Sequence, residues 1–314
     1  MQLWPPTRAV SVASGASLPG RPQPRPGEAT VLGQRIVTAV VLLAFLLPAM
    51  WASRPEPFAV LTLVFVSAGA WEWGRLNGTP GWPAVVLAGV LATLGLAAWQ
   101  AGWTRGVHPS AWAGLAAMWV AAGVFALWRG VGGWGALPRA SRLLLGVAVL
   151  WAAWLAIVSA RGLGLNFLLS VLCLVWVADI AAYFGGHRFG RRKLAPHISP
   201  GKTWEGAVSG WVGVMVLAGL WAGWIDRSLP VDGPSLYTRL LASHGVAGLA
   251  WAVSALCAMS VVGDLFESLL KRSAGAKDSS QLLPGHGGVL DRIDALLPVF
   301  PIAMALVTWQ GAGS

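Results

Sequence analysis

Apolar residues fall along this chain in long unbroken runs, not in the spaced stripe of a half-buried helix or the alternation of a strand. Nine runs are nearly free of charge: residues 36–52, 57–73, 82–103, 111–128, 143–160, 163–184, 206–225, 246–263 and 295–311. Each has about the length a helix needs to cross a hydrocarbon layer. The pattern predicts an all-α fold, a polytopic integral membrane helical bundle of about nine transmembrane helices. The short gap from Ser53 to Glu56, with Pro55 and Pro57, predicts a tight hairpin between the first two.

Composition removes the soluble alternatives. The 314 residues are 56% hydrophobic and only 11% charged, against about 25% charged in soluble domains. Disorder and a collagen fold are excluded as well. The 20 Trp and 40 Gly suit membrane interfaces and close helix approach. Cys173 and Cys257 both lie inside apolar runs and read as packing residues, not as a disulfide or zinc framework. Residues 1–30 are rich in Pro, Ser, Gly and Arg without an apolar core of signal length, which predicts a disordered basic cytoplasmic tail.

Charge sets an expected orientation. With the amino terminus cytoplasmic, only Arg54, Arg105, Arg161, Arg227 and Arg239 of the 22 basic residues fall on the opposite side. The positive-inside rule therefore places the amino terminus inside and, with nine spans, the carboxyl terminus outside. A net charge of +10 suits anionic lipid headgroups on the cytoplasmic face, and no nucleic-acid partner is expected.

The acids divide the chain. Only Glu28, Glu56 and Glu72 precede Asp179, while nine acids and all four lysines lie from Asp179 onward. Residues 31–162 thus read as transmembrane scaffold helices with little reactive chemistry. Residues 163–314 read as the catalytic region, with two cytoplasmic polar loops.

The first loop block runs from Asp179 and Tyr183 through Gly185, Gly186, Arg188, Gly190 and Lys193 to Lys202 and Gly206. It reads either as a phosphate cradle or as a topogenic basic loop beside anionic lipid. Asp179 favours the first, because a charge on an apolar helix usually faces a polar cavity or a partner. The second block runs from Asp264 to Asp294. If its span continues as helix to Arg272 it is about 40 Å long, more than the hydrocarbon requires. Asp264, Glu267, Ser268 and Lys271 then share one wet face. The segment Pro284-Gly285-His286-Gly287-Gly288 can bring bare amides against an anion, and Asp291 and Asp294 follow three apart.

Carboxylates with phosphates are the ordinary surroundings of magnesium. Carboxylates, lysines, arginines and glycines in these two blocks point to phosphoryl or nucleotidyl transfer. For Glu267 and Glu205 the preferred reading is a salt bridge that neutralises Lys271, Arg272 or Arg292. A transporter whose Asp179 and interfacial acids bind a coupling ion is the competing class, but the glycine segment followed by paired acids is not needed there. Some matches are set aside. Gly201-Lys202-Thr203 has Pro196 where a P-loop has glycine, and Gly130, Gly132 and Gly135 spell a dinucleotide motif without a βαβ unit. The Asn77–Thr79 sequon falls on the cytoplasmic side, and His187 and His197 lack partners at ligand spacing.

The second block, with Ser268, Lys271, Arg272, Lys277, Asp278, Pro284, His286, Gly287, Gly288, Asp291, Arg292 and Asp294, resembles the signature of the phosphatidate cytidylyltransferase family. The first block resembles that family's other characteristic stretch, from Asp179 to Gly206, and the resemblance covers about residues 30–314. It implies a membrane enzyme in bacterial phospholipid synthesis that joins CTP to phosphatidic acid, releases pyrophosphate and makes CDP-diacylglycerol. It further implies magnesium, with a potassium ion alongside, and a homodimer, while a composition rich in Trp and Arg and poor in Lys points to a bacterial plasma membrane.

By motif the resemblance carries the metal to Asp264 and Asp291 and a phosphate contact to Lys271, making these three the expected catalytic residues. The expected arrangement has Mg²⁺ on Asp264 and Asp291, with Asp294 and Asp278 as outer or alternate ligands. Lys271, Arg272, Lys277, Gly287 and Gly288 would hold CTP, with His286 donating a hydrogen bond. Ser199, Lys202 and Thr203 would hold the lipid phosphate.

Overall fold

The computed structural model describes residues 28–309, with side chains from residue 33 onward. Most of the predicted tail and the end of the last run, residues 310 and 311, lie outside the described residues. Helices occupy Glu28–Trp51 (α1), Glu56–Leu76 (α2), Trp82–Gln100 (α3), Pro109–Gly135 (α4), Arg139–Gly162 (α5) and Leu165–Phe189 (α6). A two-stranded ribbon, β1 (Lys193–Ala195) and β2 (Ser199–Thr203), leads into α7 (Trp204–Leu220), a π turn over Trp221–Ile225 and the short α8 (Asp226–Ser228). The long α9 (Leu236–Ser273), the single turn α10 (Leu290–Ile293) and α11 (Leu296–Thr308) complete the order.

Each predicted run coincides with one helix, and eight helices are long and apolar enough to cross a membrane. The ninth run is different. α11 has 13 residues, about 20 Å of helix, and Leu297 through Met304 are all buried within the protein. It is a core helix whose apolar character comes from its neighbours. Together the helices form a polytopic membrane bundle.

Two seams fix the frame. On α6, Ala178, Ala182 and Gly186 recur at four-residue spacing, and on α7 Gly206 and Gly210 do the same. A Cβ at Gly210 would lie 2.8 Å from the Ala178 carbonyl oxygen, and one at Gly206 would lie 2.9 Å from that of Ala182. The two backbones therefore touch, as small residues allow in a membrane where apolar burial does not drive helix association. The second seam is aromatic. Phe266 of α9 packs its ring 5.9, 5.8 and 5.4 Å from Trp73, Trp119 and Trp134. Such pairs add about 0.5–1.5 kcal/mol each beyond the area they bury, and they anchor α9 immediately before Glu267.

Two of the seam tryptophans find buried polar partners, while Trp119 Nε1 has none among the described residues. Trp73 Nε1 donates to the Arg142 carbonyl (2.9 Å) and Trp134 Nε1 to Asn77 Oδ1 (3.0 Å). Asn77 is 1% exposed, so its sequon serves packing. At the opposite end of the bundle, Asp232 accepts from the Leu165 and Asn166 amides (2.5 and 2.9 Å), capping α6.

α9 is two helices in line. Gly245 has φ +65 inside it, a left-handed conformation that side chains resist, so the chain kinks there. The second part runs without a break to Ser273, so the helix projects beyond the hydrocarbon as its sequence predicts. That projection carries the functional face.

Candidate active site

The α6–α7 connection has to turn within a few residues, and it does so as an antiparallel ribbon with Lys193 opposite Thr203 and Ala195 opposite Ser199. Pro200 is tolerated because both strands are edges. Thr203 caps α7, its Oγ1 accepting from the Gly206 amide at 3.1 Å. Glu205 holds the base of the ribbon through the Arg191 and Arg192 amides (3.0 and 3.1 Å) and the Arg192 guanidinium. Its ion pair is thus with Arg192, not with Lys271, Arg272 or Arg292 as the sequence suggested, because the ribbon folds Arg192 back beside it.

The ribbon delivers Lys202 to α9, where its Nζ lies 2.6 Å from Asp264 Oδ2. Around this pair is a cavity of about 480 Å³ between α6, the ribbon, α7 and α9. Asp179, Tyr183, His187, Ser199 and Thr203 supply its polar wall, and Ala178, Gly210, Cys257 and Val261 its apolar one. The cavity is thus lined mostly by apolar side chains and glycines, with Asp179, Lys202 and Asp264 as its charged groups.

Two turns farther along α9, Lys271 Nζ lies 2.5 Å from Glu267 Oε2 and 2.6 Å from Asp291 Oδ1. Glu267 is the neutralising partner its sequence position indicated. Asp291 Oδ2 accepts from the Ser279 amide (3.0 Å), the Ser279 hydroxyl (2.8 Å) and the Gly288 amide (2.8 Å). Burial alone would raise the Asp291 pKa, but the Lys271 ammonium and the Gly288 amide hold it down at about 2. Asp294 behaves oppositely: burial and then the negative charge of Asp264 push its carboxyl above the ordinary range. The paired acids therefore face different partners, Asp291 the Lys271 cluster and Asp294 the Asp264 cluster.

The glycine segment forms a small closed turn. Leu283 N donates to Gly287 O (2.9 Å), and Arg292 donates to the His286 carbonyl through Nε at 3.0 Å and through Nη2. A Cβ at Gly288 would lie 2.0 Å from Ser279 Oγ and 2.5 Å from Glu72 Oε1, so no side chain fits there. Its amide is directed at Asp291. The His286 ring Nδ1 is enclosed without a protein partner. Arg272 donates to the Ile198 and Ala276 carbonyls (3.5 and 3.3 Å), tying the ribbon to the loop after α9. Lys277 and Asp278 line a separate opening with Arg75. The structure thus gathers Lys202, Asp264, Ser199 and Thr203 at one cavity and Lys271, Asp291 and Gly288 at a second cluster, with Lys277 and Asp278 on the rim.

Three residues of the expected scaffold region reach this site by hydrogen bonds. Glu72 of α2 is fully buried and bonds to the loop before Asp291. Arg35 and Thr38 of α1 donate to the Gly285 and Pro284 carbonyls at 3.0 and 2.9 Å. The signal for Glu72 was present in the sequence, since an acid inside an apolar run marks a partner or a cavity.

The donor set suits a hard cation. Carboxylate oxygens converge on a positive charge at Lys202, with no thiolate among the cavity's charged groups. Among the described residues no three acids, histidines or cysteines already form a ligand group, so a bound ion would take one or two carboxylates and complete its shell with water and phosphate oxygens. Asp264 and Asp294 fit that task. Asp291, with four donors on its two oxygens, would join only by exchanging one of them.

The chain is similar in sequence to known proteins over most of its length. The phosphatidate cytidylyltransferase of Pseudomonas aeruginosa is 40% identical over 294 residues, 90% of this chain and 100% of that protein. Those of Haemophilus influenzae and Brucella melitensis are 33% and 34% identical, covering 86% and 85% of this chain and 96% and 89% of their own lengths. The profile of the Cytidylyltransferase family matches residues 33–309, which takes in the whole bundle, both polar blocks and every acid and lysine of the two clusters. By that match, and by the length over which its relatives align, the chain belongs to the cytidylyltransferase family.

Proposed function

We propose that this chain is a phosphatidate cytidylyltransferase, transferring the cytidylyl group of CTP to phosphatidic acid to give CDP-diacylglycerol and pyrophosphate. The observation that carries the reading is the Lys202–Asp264 pair in a cavity lined mostly by apolar side chains and glycines. A substrate with a phosphate head and an apolar body matches such a site.

The lipid phosphate, with a second pKa of about 6, is mostly a dianion at cytosolic pH and needs no general base. One of its oxygens forms a bond to the α-phosphorus of CTP. The bond from that phosphorus to the oxygen bridging to the β-phosphate breaks, and pyrophosphate departs with the electron pair. What remains for the protein is alignment and charge neutralisation. Lys202, with Ser199 and Thr203 beside it, would hold the lipid phosphate. Lys271, with Arg272 and Lys277 nearer the rim, would hold the CTP phosphates and meet the charge growing on pyrophosphate. Asp264 and Asp294, joined by Asp291 on exchange with Lys271, would hold Mg²⁺, which when bound neutralises phosphate oxygens as a Lewis acid.

The ribbon and the loop after α9 lie at the same end of the bundle as Arg35 and Arg75. This basic end is proposed to face the cytoplasm, where CTP is available, across a bacterial plasma membrane. The test is pyrophosphate release by detergent-solubilised protein given CTP and Mg²⁺ with phosphatidic acid, with a polyprenyl phosphate, or with neither. Release only with phosphatidic acid, with CDP-diacylglycerol formed, is expected. Release only with the polyprenyl phosphate would replace the acceptor, and no release by folded protein would overturn the reading.

A further inference from the structure

Glu72 lies on α2, far in sequence from both polar blocks, and its side chain is at 0% exposure. It faces no cation. Oε1 instead accepts from Ser280 Oγ (2.5 Å) and Val289 N (2.9 Å), and Oε2 accepts from Leu290 N (2.7 Å), with Ser279 Oγ at 3.1 Å. These donors come from the two ends of one loop. Ser279 and Ser280 follow Lys277 and Asp278, and Val289 and Leu290 precede Asp291. A single carboxylate therefore closes the loop at its neck.

The contact continues to the Lys271 cluster. Ser279 Oγ lies 2.8 Å from Asp291 Oδ2 as well as 3.1 Å from Glu72 Oε2, and its one hydrogen serves one of them at a time. Gly288, between the two carboxylates, has no room for a side chain because Ser279 and Glu72 fill the space. Glu72, Ser279 and Asp291 thus stack in one direction, ending on Lys271.

We infer that Glu72 is a positioning residue for the proposed reaction: it pins the neck of the loop over residues 279–290 so that Asp291 and Lys271 keep the spacing that phosphate neutralisation requires. The inference rests on the transfer reading above and goes beyond it by assigning part of the work to α2. It needs a carboxylate and not merely a polar group. Each Glu72 oxygen receives one backbone amide, and a glutamine offers only one acceptor. The serines can turn to accept from the glutamine NH₂, but a backbone N–H cannot.

The experiment compares wild type, Glu72→Gln, and Ser280→Ala, which removes a hydroxyl that donates to Glu72 without touching Asp291. Two readouts are taken on folded protein: steady-state kinetics, and hydrogen–deuterium exchange across residues 276–290. In Glu72→Gln, kcat is expected to fall about tenfold or more, with KM for CTP and lipid changed less than about threefold. Exchange in 276–290 should rise about tenfold while the rest of α9 stays protected. Ser280→Ala should move both readouts the same way, and it decides the matter if Glu72→Gln does not fold. Wild-type kcat and exchange in either folded variant would overturn the inference, and so would a loss of activity that merely follows the folded fraction. Failure of the wild type to transfer would sink the function reading. Normal wild-type turnover with unchanged exchange in the variants would sink the pin alone.

Discussion

Lys202, at the end of the ribbon, and Asp264, where the apolar run of α9 gives way to its projecting part, meet at 2.6 Å although they belong to different blocks of the sequence. Neither block is complete without the other. If the two act as one unit, Lys202→Ala should lower turnover about a hundredfold and Asp264→Asn at least as much. The double variant should be little slower than Asp264→Asn alone, because losses within a unit do not multiply. Rate measurements on the four proteins decide it, and fully multiplicative losses would show that the pair acts as two independent groups.

Asp291→Asn removes the charge that faces Lys271 and leaves the shape of the side chain. Turnover should drop below about a hundredth of wild type, since a group that stabilises transition-state charge is lost. Stability should fall by about 2 kcal/mol, the usual loss for a hydrogen bond to a charged group. Thermal unfolding in detergent measures the second effect separately, and wild-type rates in the folded variant would remove Asp291 from the chemistry.

The α6–α7 seam predicts a positional contrast along one helix. A Cβ at Gly210 meets a backbone oxygen at 2.8 Å, whereas nothing lies within 4 Å of one at Gly219. Gly210→Val should destabilise the protein by about 2 kcal/mol or more, as overpacking does. Gly219→Val should stay within about 0.5 kcal/mol of wild type. Melting curves of the two variants side by side provide the check.

Asp232 supplies a pH-dependent contribution far from the site. Burial would raise its pKa, but the Asn166 and Leu165 amides prevail and hold it below the usual carboxylate range. Such a group stabilises the folded state fully above about pH 4, the unfolded carboxyl value, and the contribution fades as pH falls through the lower folded value. Asp232→Ala should cost about 1 kcal/mol at pH 7, the worth of a helix cap, and the gap to wild type should close under strongly acidic conditions. A gap independent of pH would contradict the cap.

The helices were readable because charge-free runs of membrane length leave few alternatives, and the extension of α9 to Ser273 followed from where its wet face lay. What the runs could not distinguish was a helix facing lipid from one facing protein. α11 is apolar for the second reason and is too short for the first. The ribbon was legible only as a set of turn points, since β pairing of Lys193–Ala195 with Ser199–Thr203 depends on α6 and α7 arriving side by side. The same limit hid Glu72. Its apolar surroundings suggested scaffold, and its partners lie more than 200 residues later in the chain.

The small-residue seam also governs how the molecule can move. With Gly206 and Gly210 against the Ala182 and Ala178 carbonyls, α6 and α7 have no space to slide past one another, and the ribbon that joins them carries Lys202. Asp264 rides on the neighbouring helix, which a side-chain hydrogen bond from Trp211 to Ser254, 2.8 Å long, joins to α7. Room for relative movement therefore lies along α9 and not between α6 and α7. Any separation of α9 from the ribbon would also draw the Lys202 ammonium off the Asp264 carboxylate, so the ion pair is itself a latch between them.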